Sequence, residues 1–237
     1  HIDGRHDGMV WDNTQRGEGL RNTISLNGRS GTGHGFIHWS ANFDEVQDFE
    51  NDIREEFGGT GFLADEFWGD PEIRATLGSK SKAGLSPELD ALAAYVESLN
   101  HSTIRQSPYR QSNGDFTEAA SRGRVIFEQA SCIDCHSGEN MTDGLAYNIG
   151  TIKASSGSRL GGLLEAIDTP TLRGIHGSAP YLHDGSALDL ESVFAQFDTS
   201  PEMQPHGRAH DIDRLSEAQK ADLIQYLLEL DGSGIVP

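Results

Sequence analysis

The stretch SCIDCHSG, residues 131–138, contains both cysteines of this 237-residue chain, spaced C-x-x-C and followed directly by His136. Three chemistries use this spacing. A redox disulfide uses the two sulfurs, a zinc site adds a fourth ligand from elsewhere, and c-type haem attachment uses all three residues. In haem attachment each thiol adds to a vinyl group of the porphyrin and the imidazole binds the iron. The spacing favours haem attachment, with Cys132, Cys135 and His136 as the binding residues.

The composition of the chain limits its partners. It has 18 Lys and Arg residues against 37 Asp and Glu residues, a net charge of −19. So acidic a surface repels phosphate, which excludes nucleic acid as a partner. The same charge attracts a basic redox protein by long-range steering, although it also serves solubility alone. No segment approaches the roughly 20 apolar residues of a membrane span.

The start of the chain bears on its cellular compartment. It does not begin with methionine, and it lacks a signal sequence, which would be a basic segment followed by an apolar one. Because c-type haem is attached outside the cytoplasm, we expect an export signal to have existed. The sequence is therefore expected to be a processed or truncated piece of a periplasmic or otherwise extracytoplasmic protein.

Helical periodicity appears in both halves of the chain. In the first half, residues 16–39 read as ordered loop, whereas apolar residues at i, i+3 and i+4 predict an amphipathic helix over 43–57. Ser86 followed by Pro87 predicts the start of a helix over 86–100. A polar stretch after residue 100 connects the halves.

The second half contains helices before and after the C-x-x-C-H motif. A helix carrying Val125, Ile126 and Phe127 precedes the motif, and a short helix begins near Asp189. A closing helix starts at Ser216 and Gln219, which have capping-box spacing. A helix before the motif and a C-terminal helix packed across it are typical of small cytochromes c. No strand-like alternation is visible.

At this point the sequence resembles a family. GRVIFEQASCIDCHSG, MTDGLAYNIG, DTPTLRGIHGSAPYLHDGSALDLESVF and LSEAQKADLIQYLLEL resemble the C-terminal domain of bacterial dihaem cytochrome c peroxidases and of MauG. GEGLRNTISLNG, the Trp39 region and LDALAAYVESLN are similar to the N-terminal domain of that family. The resemblance implies a mainly α fold of two cytochrome c-like domains with long ordered loops, covering residues 1–108 and 109–237. It also implies hydrogen peroxide, a small redox protein or other electron donor, and a second copy of the chain as partners.

The family carries two haems, yet one C-x-x-C-H is present. In the family a histidine lies at the position of His1 relative to the RN motif, as the last residue of a first C-x-x-C-H. The resemblance therefore implies that His1 is the remnant of a motif whose cysteines lie upstream, and that a second haem binds near it. The alternative is that His1 is a tag residue.

Two further sites follow from the resemblance. Trp39 matches the tryptophan that lies between the haems and helps electrons to cross; the alternative is a core aromatic. Asn22 matches the side-chain ligand of an inter-haem calcium ion, and the carbonyls of Ser178 and Pro180 match its other protein ligands. Calcium suits this set because it takes oxygen donors. The alternative for Asn22 is a turn residue that caps backbone amides.

The sixth iron ligand of the second haem is where the chain departs from the family. Phe197 stands where the family has a ligand, and phenylalanine cannot bind iron. The segment that follows offers Met203, ranked first, with His206 or His210 as alternatives and an open site as the third outcome. Met141 is expected to pack near the haem edge.

Peroxide chemistry also needs an acid–base group. The family uses a glutamate after the tryptophan, and Glu50 is the residue we name, with Glu55 and Glu56 as neighbours on the same predicted helix. Most acids on such a helix form its solvated face. His34 and His38 are the alternatives.

Three functions remain open. The first is a dihaem peroxidase or MauG-like oxidoreductase that reduces hydrogen peroxide or uses it to oxidise a substrate. The second is an electron-transfer cytochrome c domain without catalytic activity, either alone or as part of a larger fusion. The third is a structural or sensory domain in which haem only stabilises the fold.

Overall fold

The computed structural model describes residues 4–78, 80–198, 212 and 214–233. These ranges contain seven α-helices: α1 (Phe49–Asn51), α2 (Asp65–Trp68), α3 (Pro71–Arg74), α4 (Pro87–Ser98), α5 (Glu118–Gln129), α6 (Leu190–Asp198) and α7 (Glu217–Glu229). They also contain six short strands: β1 (Val10–Asn13), β2 (Gly19–Asn22), β3 (Ala146–Tyr147), β4 (Ser158–Arg159), β5 (Gly162–Leu163) and β6 (Ile167–Asp168). The strands pair antiparallel as β1–β2, β3–β6 and β4–β5. Within the described part of the chain no helix is long and apolar enough to cross a membrane.

The strands were not expected from the sequence. Each is two to four residues long, so none is long enough to display the two-residue period by which a strand is recognised. They stabilise loops rather than build a layer. In β1–β2, for example, Val10 pairs with Asn22, which fixes the position of Asn22.

The helix starts predicted from capping residues are confirmed. The side chain of Ser86 accepts a hydrogen bond from the Leu89 amide at the start of α4. Ser216 and Gln219 form the expected capping box at the start of α7. Both caps satisfy amides that have no partner within the helix.

The segment predicted as a helix over residues 43–57 is helical over 46–56, but it is not one regular α-helix. The Phe43 carbonyl instead accepts the Ile37 amide in an isolated bridge, and the chain becomes helical only from a 3-10 turn at Val46–Asp48. The α-helical part is limited to α1, and a π-type turn over Asp52–Glu56 follows it. The Asp48 carboxylate in the 3-10 turn binds the buried ammonium of Lys82 at 2.5 Å. The apolar periodicity over 43–57 therefore predicts that the segment is helical, but it does not predict the type of helical turn.

The core of the second half forms where α5 crosses α7. Ile126 and Phe127 of α5 and Leu223, Tyr226 and Leu227 of α7 are buried together in this core. Gly123 permits the close approach, since a Cβ at this position would lie 2.0 Å from the Asp222 carbonyl oxygen. The crossing holds the end of α5, and thus the C-x-x-C-H turn, against the C-terminal helix.

The first half has its own buried clusters. One contains Ile37, Phe43, Val46, Ala93 and Val96, and a second contains Leu63, Ile73 and Leu89. The buried residues of the core around α5 and α7 all lie in the second half, from Ala120 to Leu230. The division into domains at residues 108 and 109 stays a prediction.

Candidate haem-binding site

A cavity of about 470 Å³ lies between the two halves of the chain. Asn22, Arg29 and Trp39 line it from the first half, and Cys132 and His136 line it from the second. Its walls are largely apolar, because α5, α6 and α7 contribute aromatic and aliphatic side chains: Phe127, Leu190, Phe194, Leu223 and Leu227. A cavity of this size and character suits an organic cofactor.

The C-x-x-C-H motif forms one tight turn at the end of α5. After Gln129 the chain passes through Ser131, whose φ is 59°, into a 3-10 turn over Cys132–Asp134. The His136 amide donates to the Cys132 carbonyl at 2.9 Å. The turn places both thiols and the imidazole at the cavity wall.

The two thiols do not have the properties of a redox pair. Both cysteines are free thiols. Burial raises the pKa of Cys132 to about 11, and burial also raises the pKa of Cys135. Redox-active C-x-x-C pairs instead have a lowered pKa, because the thiolate is the reactive form. The environment of Cys132 and Cys135 thus disfavours the redox disulfide.

A zinc site is also disfavoured. Across residues 4–78, 80–198, 212 and 214–233, no group of three or more His, Cys, Asp or Glu side chains is placed to hold a metal ion. A structural zinc needs four such ligands. Haem attachment requires only the three residues of the motif, and these are together.

His136 has the neutral ring that an iron ligand needs. Its Nδ1 lies 3.3 Å from the Met141 carbonyl, which can accept a hydrogen from this nitrogen. Burial lowers the pKa of His136, against the raising effect of backbone hydrogen bonds to Met141 and Pro170, so the ring is neutral at pH 7. Met141 is itself fully buried in the core, as expected for a packing residue. The thiols, the imidazole and the apolar walls together fit haem c.

Trp39 lines the same cavity and is fixed by Asn22. Its indole Nε1 donates to the Asn22 carbonyl at 2.8 Å, and its carbonyl accepts the Asp168 amide at 2.9 Å. These bonds join Trp39 to both halves of the chain. They place the indole at the cavity wall, and its part in electron transfer stays a prediction.

Asn22 lies against the loop predicted to share a calcium ion with it. Its side-chain Nδ2 donates to the carbonyls of Pro180 at 2.5 Å and Leu182 at 3.1 Å, and Ser178 lines the same cavity. The Oδ1 atom lies 2.8 Å from Nε2 of His6. The oxygen and nitrogen of an amide are nearly isosteric, so a flipped amide would present Oδ1 beside the two carbonyls. This oxygen-rich set is the kind that calcium takes, and the ion stays a prediction.

Glu50 does not lie on a solvated helix face and does not line the cavity. It is 0% exposed. Its carboxylate accepts from Arg54 Nε at 2.7 Å and from the amides of Phe62 and Leu63 at 2.9 to 3.0 Å. These bonds anchor the loop that follows the π-type turn. Glu55 and Glu56 are exposed, and Glu56 pairs with Arg16 at 2.6 Å.

The two alternative histidines have different surroundings. His38 lies at φ 69°, its Nδ1 is 2.8 Å from Asn42 Oδ1, and its Nε2 is 3.8 Å from Asp52 Oδ2. Burial lowers the pKa of His38, whereas burial raises the pKa of Asp52 to about 6. His34 is buried against Arg29, and burial together with that guanidinium lowers the pKa of His34 to about 3. Neither histidine lines the cavity.

Several predicted ligands lie outside the described residues. These are His1, Met203, His206 and His210, together with the side chain of Phe197. Their roles stay predictions.

Sequence reasoning missed four polar side chains of the cavity wall: Arg29, Asp168, Arg173 and His183. Arg29 and Asp168 form a buried pair at 3.3 Å between the two halves. Burial raises the pKa of Asp168 to about 7, an effect that Arg29 opposes. These four residues could have been found from the sequence only because they lie within or beside the segments that resemble the family.

The second half of the chain resembles a known protein family. Residues 120–231 match the cytochrome c family. Hydrazine synthase subunit gamma of Kuenenia stuttgartiensis is 30% identical over 179 residues, which cover 60% of this chain and 48% of that protein. The methylamine utilization protein MauG of Methylophilus methylotrophus is 31% identical over 130 residues, covering 50% of this chain and 38% of that protein. The chain thus spans about half or less of the length of these relatives.

Solved structures show the same fold along nearly the whole chain. Kuenenia stuttgartiensis hydrazine synthase under xenon pressure matches with a TM-score of 0.65 and 24% identity, over 96% of this chain and 78% of that chain. A MauG-like protein associated with microbial copper homeostasis matches with a TM-score of 0.59 and 22% identity, over 97% of this chain and 80% of that chain. At these identities the similarity concerns the fold.

Proposed function

We propose that the chain is an extracytoplasmic dihaem cytochrome c that reduces hydrogen peroxide or uses it to oxidise a substrate, because residues 120–231 match the cytochrome c family and the chain is similar to MauG. One haem is attached at Cys132 and Cys135 with His136 as iron ligand, and a second is bound near His1. The observation that carries the proposal is the placement of both thiols and the imidazole on the wall of the 470 Å³ cavity.

The chain supplies attachment and orientation for this function. When bound, haem c supplies a one-electron couple and, where an axial position is open, a site that reacts with peroxide. Burial raises the pKa of Cys132 and keeps its thiol protonated. This thiol and that of Cys135 would hold the haem through thioether bonds. The Met141 carbonyl holds the His136 ring by Nδ1. Apolar side chains of α5, α6 and α7 exclude water from the cavity.

Contacts between the two halves support electron transfer between two haems. Trp39 is bonded to Asn22 of the first half and, through its carbonyl, to Asp168 of the second. A calcium ion held by Asn22 and the carbonyls of Ser178 and Pro180 would fix the same junction. An electron donor of basic charge suits the net charge of −19.

The acid–base group has two candidates in the first half. Glu50 is the residue named from the family pattern, but its carboxylate already accepts three backbone and side-chain donors. His38 has a neutral ring oriented by Asn42 and an adjacent carboxyl at Asp52. Separate His38→Gln and Glu50→Gln variants would distinguish the two, because the acid–base residue is the one whose loss lowers the rate with peroxide while leaving the haem spectrum intact.

The number and spin state of the haems test the function. We expect two haems per full-length chain by pyridine haemochrome assay, with high-spin ferric iron that reacts with hydrogen peroxide. Low-spin iron alone, unchanged by peroxide, would instead identify an electron-transfer cytochrome. One haem per full-length chain would refute the dihaem proposal.

A further inference from the structure

Tyr147 lies between the cavity and the surface of the protein. It is the second residue of β3, where it pairs with Ile167 of β6 in a two-residue antiparallel ladder. Tyr147 and Ile167 both line the cavity. Tyr147 is partly buried, whereas its neighbour Ala146 is exposed. The strand pairing therefore fixes this tyrosine at the edge of the cavity, close to solvent.

The phenol of Tyr147 contacts the motif that holds the haem. Its side chain hydrogen-bonds the side chain of Cys135, the second cysteine of the C-x-x-C-H turn. In the proposed haem protein this sulfur is a thioether bonded to the porphyrin. Because electron transfer slows exponentially with distance, a phenol in contact with that sulfur is well placed to exchange electrons with the haem.

The same phenol is bonded to a base that can receive its proton. Its O–H donates to Oδ2 of Asp143 at 2.8 Å, and Oδ1 of that carboxylate accepts the Leu145 amide at 3.0 Å. The hydrogen bond to Asp143, together with burial, raises the pKa of Tyr147 to about 12, so the phenol is protonated at pH 7. A tyrosine that loses an electron becomes a strong acid. Asp143 can take the released proton without any movement of the chain.

Tyr181 provides a comparison within the same cavity. It is the second tyrosine that the structure places in the cavity lining, and its hydroxyl donates to the Ile175 carbonyl at 2.9 Å. A peptide carbonyl is too weak a base to take a proton at neutral pH. Of these two tyrosines, Tyr147 is the one whose hydroxyl is bonded to a proton acceptor.

We propose that Tyr147 is a redox-active residue that passes electrons one at a time to the haem attached at Cys132 and Cys135. The inference rests on the proposed function, in which hydrogen peroxide oxidises the haem. The oxidised haem takes one electron from Tyr147, the phenol proton moves to Asp143, and a neutral tyrosyl radical remains. An electron donor at the surface then returns one electron to Tyr147 while Asp143 returns the proton, so neither side chain is consumed.

The test mixes the haem-loaded, full-length protein with hydrogen peroxide and freezes it rapidly for electron paramagnetic resonance. We expect an organic radical signal in the wild type and its loss in Tyr147→Phe. Tyr181→Phe is the matched control, because it removes the hydroxyl of the other tyrosine in the cavity lining, and it should keep the signal. Both variants retain an aromatic ring, so their haem content should equal that of the wild type.

Two further measurements keep the outcome decisive if Tyr147→Phe does not load haem. In wild-type protein grown with ring-deuterated tyrosine, the radical signal should narrow, which identifies it as a tyrosyl radical. Asp143→Asn keeps the phenol but replaces the proton acceptor with an amide, so it should lose most of the signal.

Failure of the inference is distinct from failure of the proposed function. A haem that peroxide oxidises without any tyrosyl signal, or with the same signal in Tyr147→Phe, would overturn the inference alone. An equal signal in Asp143→Asn would overturn the transfer of the proton to Asp143. A haem that does not react with peroxide would overturn the proposed function, and the inference with it.

Discussion

The side-chain amide of Asn22 lies 2.5 Å from the carbonyl oxygen of Pro180, although 158 residues separate them in the sequence. The Asn22 carbonyl accepts the Trp39 indole, and its backbone amide donates to His183. One residue of the first half is therefore bonded to the cavity wall of the second by both its side chain and its backbone. A substitution of Asn22 should therefore disturb the packing of both halves of the chain at the cavity.

Calcium binding is the first consequence to test at this junction. Asn22→Ala should abolish calcium binding and alter the haem spectrum, because it removes the only side-chain oxygen of the proposed ligand set. Asn22→Asp is the matched control, since it keeps an oxygen ligand and adds a negative charge. Calcium content by elemental analysis, and spectra before and after chelation, report the result. Equal calcium content in the wild type and Asn22→Ala would contradict the site.

Haem attachment is tested at the C-x-x-C-H turn. Replacing Cys132 and Cys135 together with Ser should release this haem during acid–acetone extraction, because the thioethers are its only covalent links. His136→Ala should keep the haem attached but change its spectrum, because it removes an iron ligand and spares both thiols. A haem covalently retained at this site in the double serine variant would refute the assignment.

The sixth ligand of this haem is tested at Met203. If the thioether binds, the ferric protein should show the weak near-infrared sulfur-to-iron band, and Met203→Ala should abolish it and open the site to cyanide. His206→Ala and His210→Ala are the comparison variants, because either imidazole would place the band at the position of bis-imidazole iron. An unchanged spectrum in all three variants would leave an open site.

The crossing of α5 and α7 is tested at Gly123. Gly123→Ala should lower the free energy of unfolding by about 1–3 kcal/mol, because the added Cβ overlaps the Asp222 carbonyl and forces the helices apart. This occurs although alanine favours a helix over glycine by about 1 kcal/mol. Ser121→Ala, at an exposed position of the same helix, should change stability by no more than about 0.5 kcal/mol. Denaturant unfolding measures both, and equal effects would refute the close packing.

The pH dependence of stability is tested at His34. Its pKa in the folded protein is about 3, below the usual 6.5, because burial and Arg29 disfavour the charged ring. Below pH 6.5 the unfolded chain therefore takes up a proton that the folded protein refuses, so the contribution of His34 is complete above pH 6.5 and is lost as pH falls.

Denaturant unfolding of the wild type and His34→Gln over pH 4.5 to 7 isolates this contribution. The wild type should lose stability relative to the variant by up to about 1.4 kcal/mol per pH unit on going below pH 6.5. Asp168 changes stability in the opposite direction, since its pKa is raised to about 7, but it is common to both proteins. A difference in stability that does not vary with pH would contradict the buried neutral histidine.

The sequence by itself determined those features that depend on neighbouring residues. Cys132, Cys135 and His136 lie within five residues, so their spacing alone indicated the attachment chemistry. The caps at Ser86 and Ser216 act on amides three residues away, and both helix starts were predicted correctly. Short-range geometry of this kind is set by the backbone, whatever the rest of the chain does.

Tertiary structure decided the features that depend on partners far along the chain. The apolar pattern over 43–57 predicted one regular helix with Glu50 as an acid–base candidate. The structure instead has three different helical turns over 46–56, and the carboxylate of Glu50 is buried by bonds to Arg54, Phe62 and Leu63. His183 Nε2 likewise lies 2.7 Å from the hydroxyl of Ser156, which is 27 residues earlier in the chain. A side chain binds whichever group the fold brings within hydrogen-bond distance, and neither periodicity nor spacing encodes that distance.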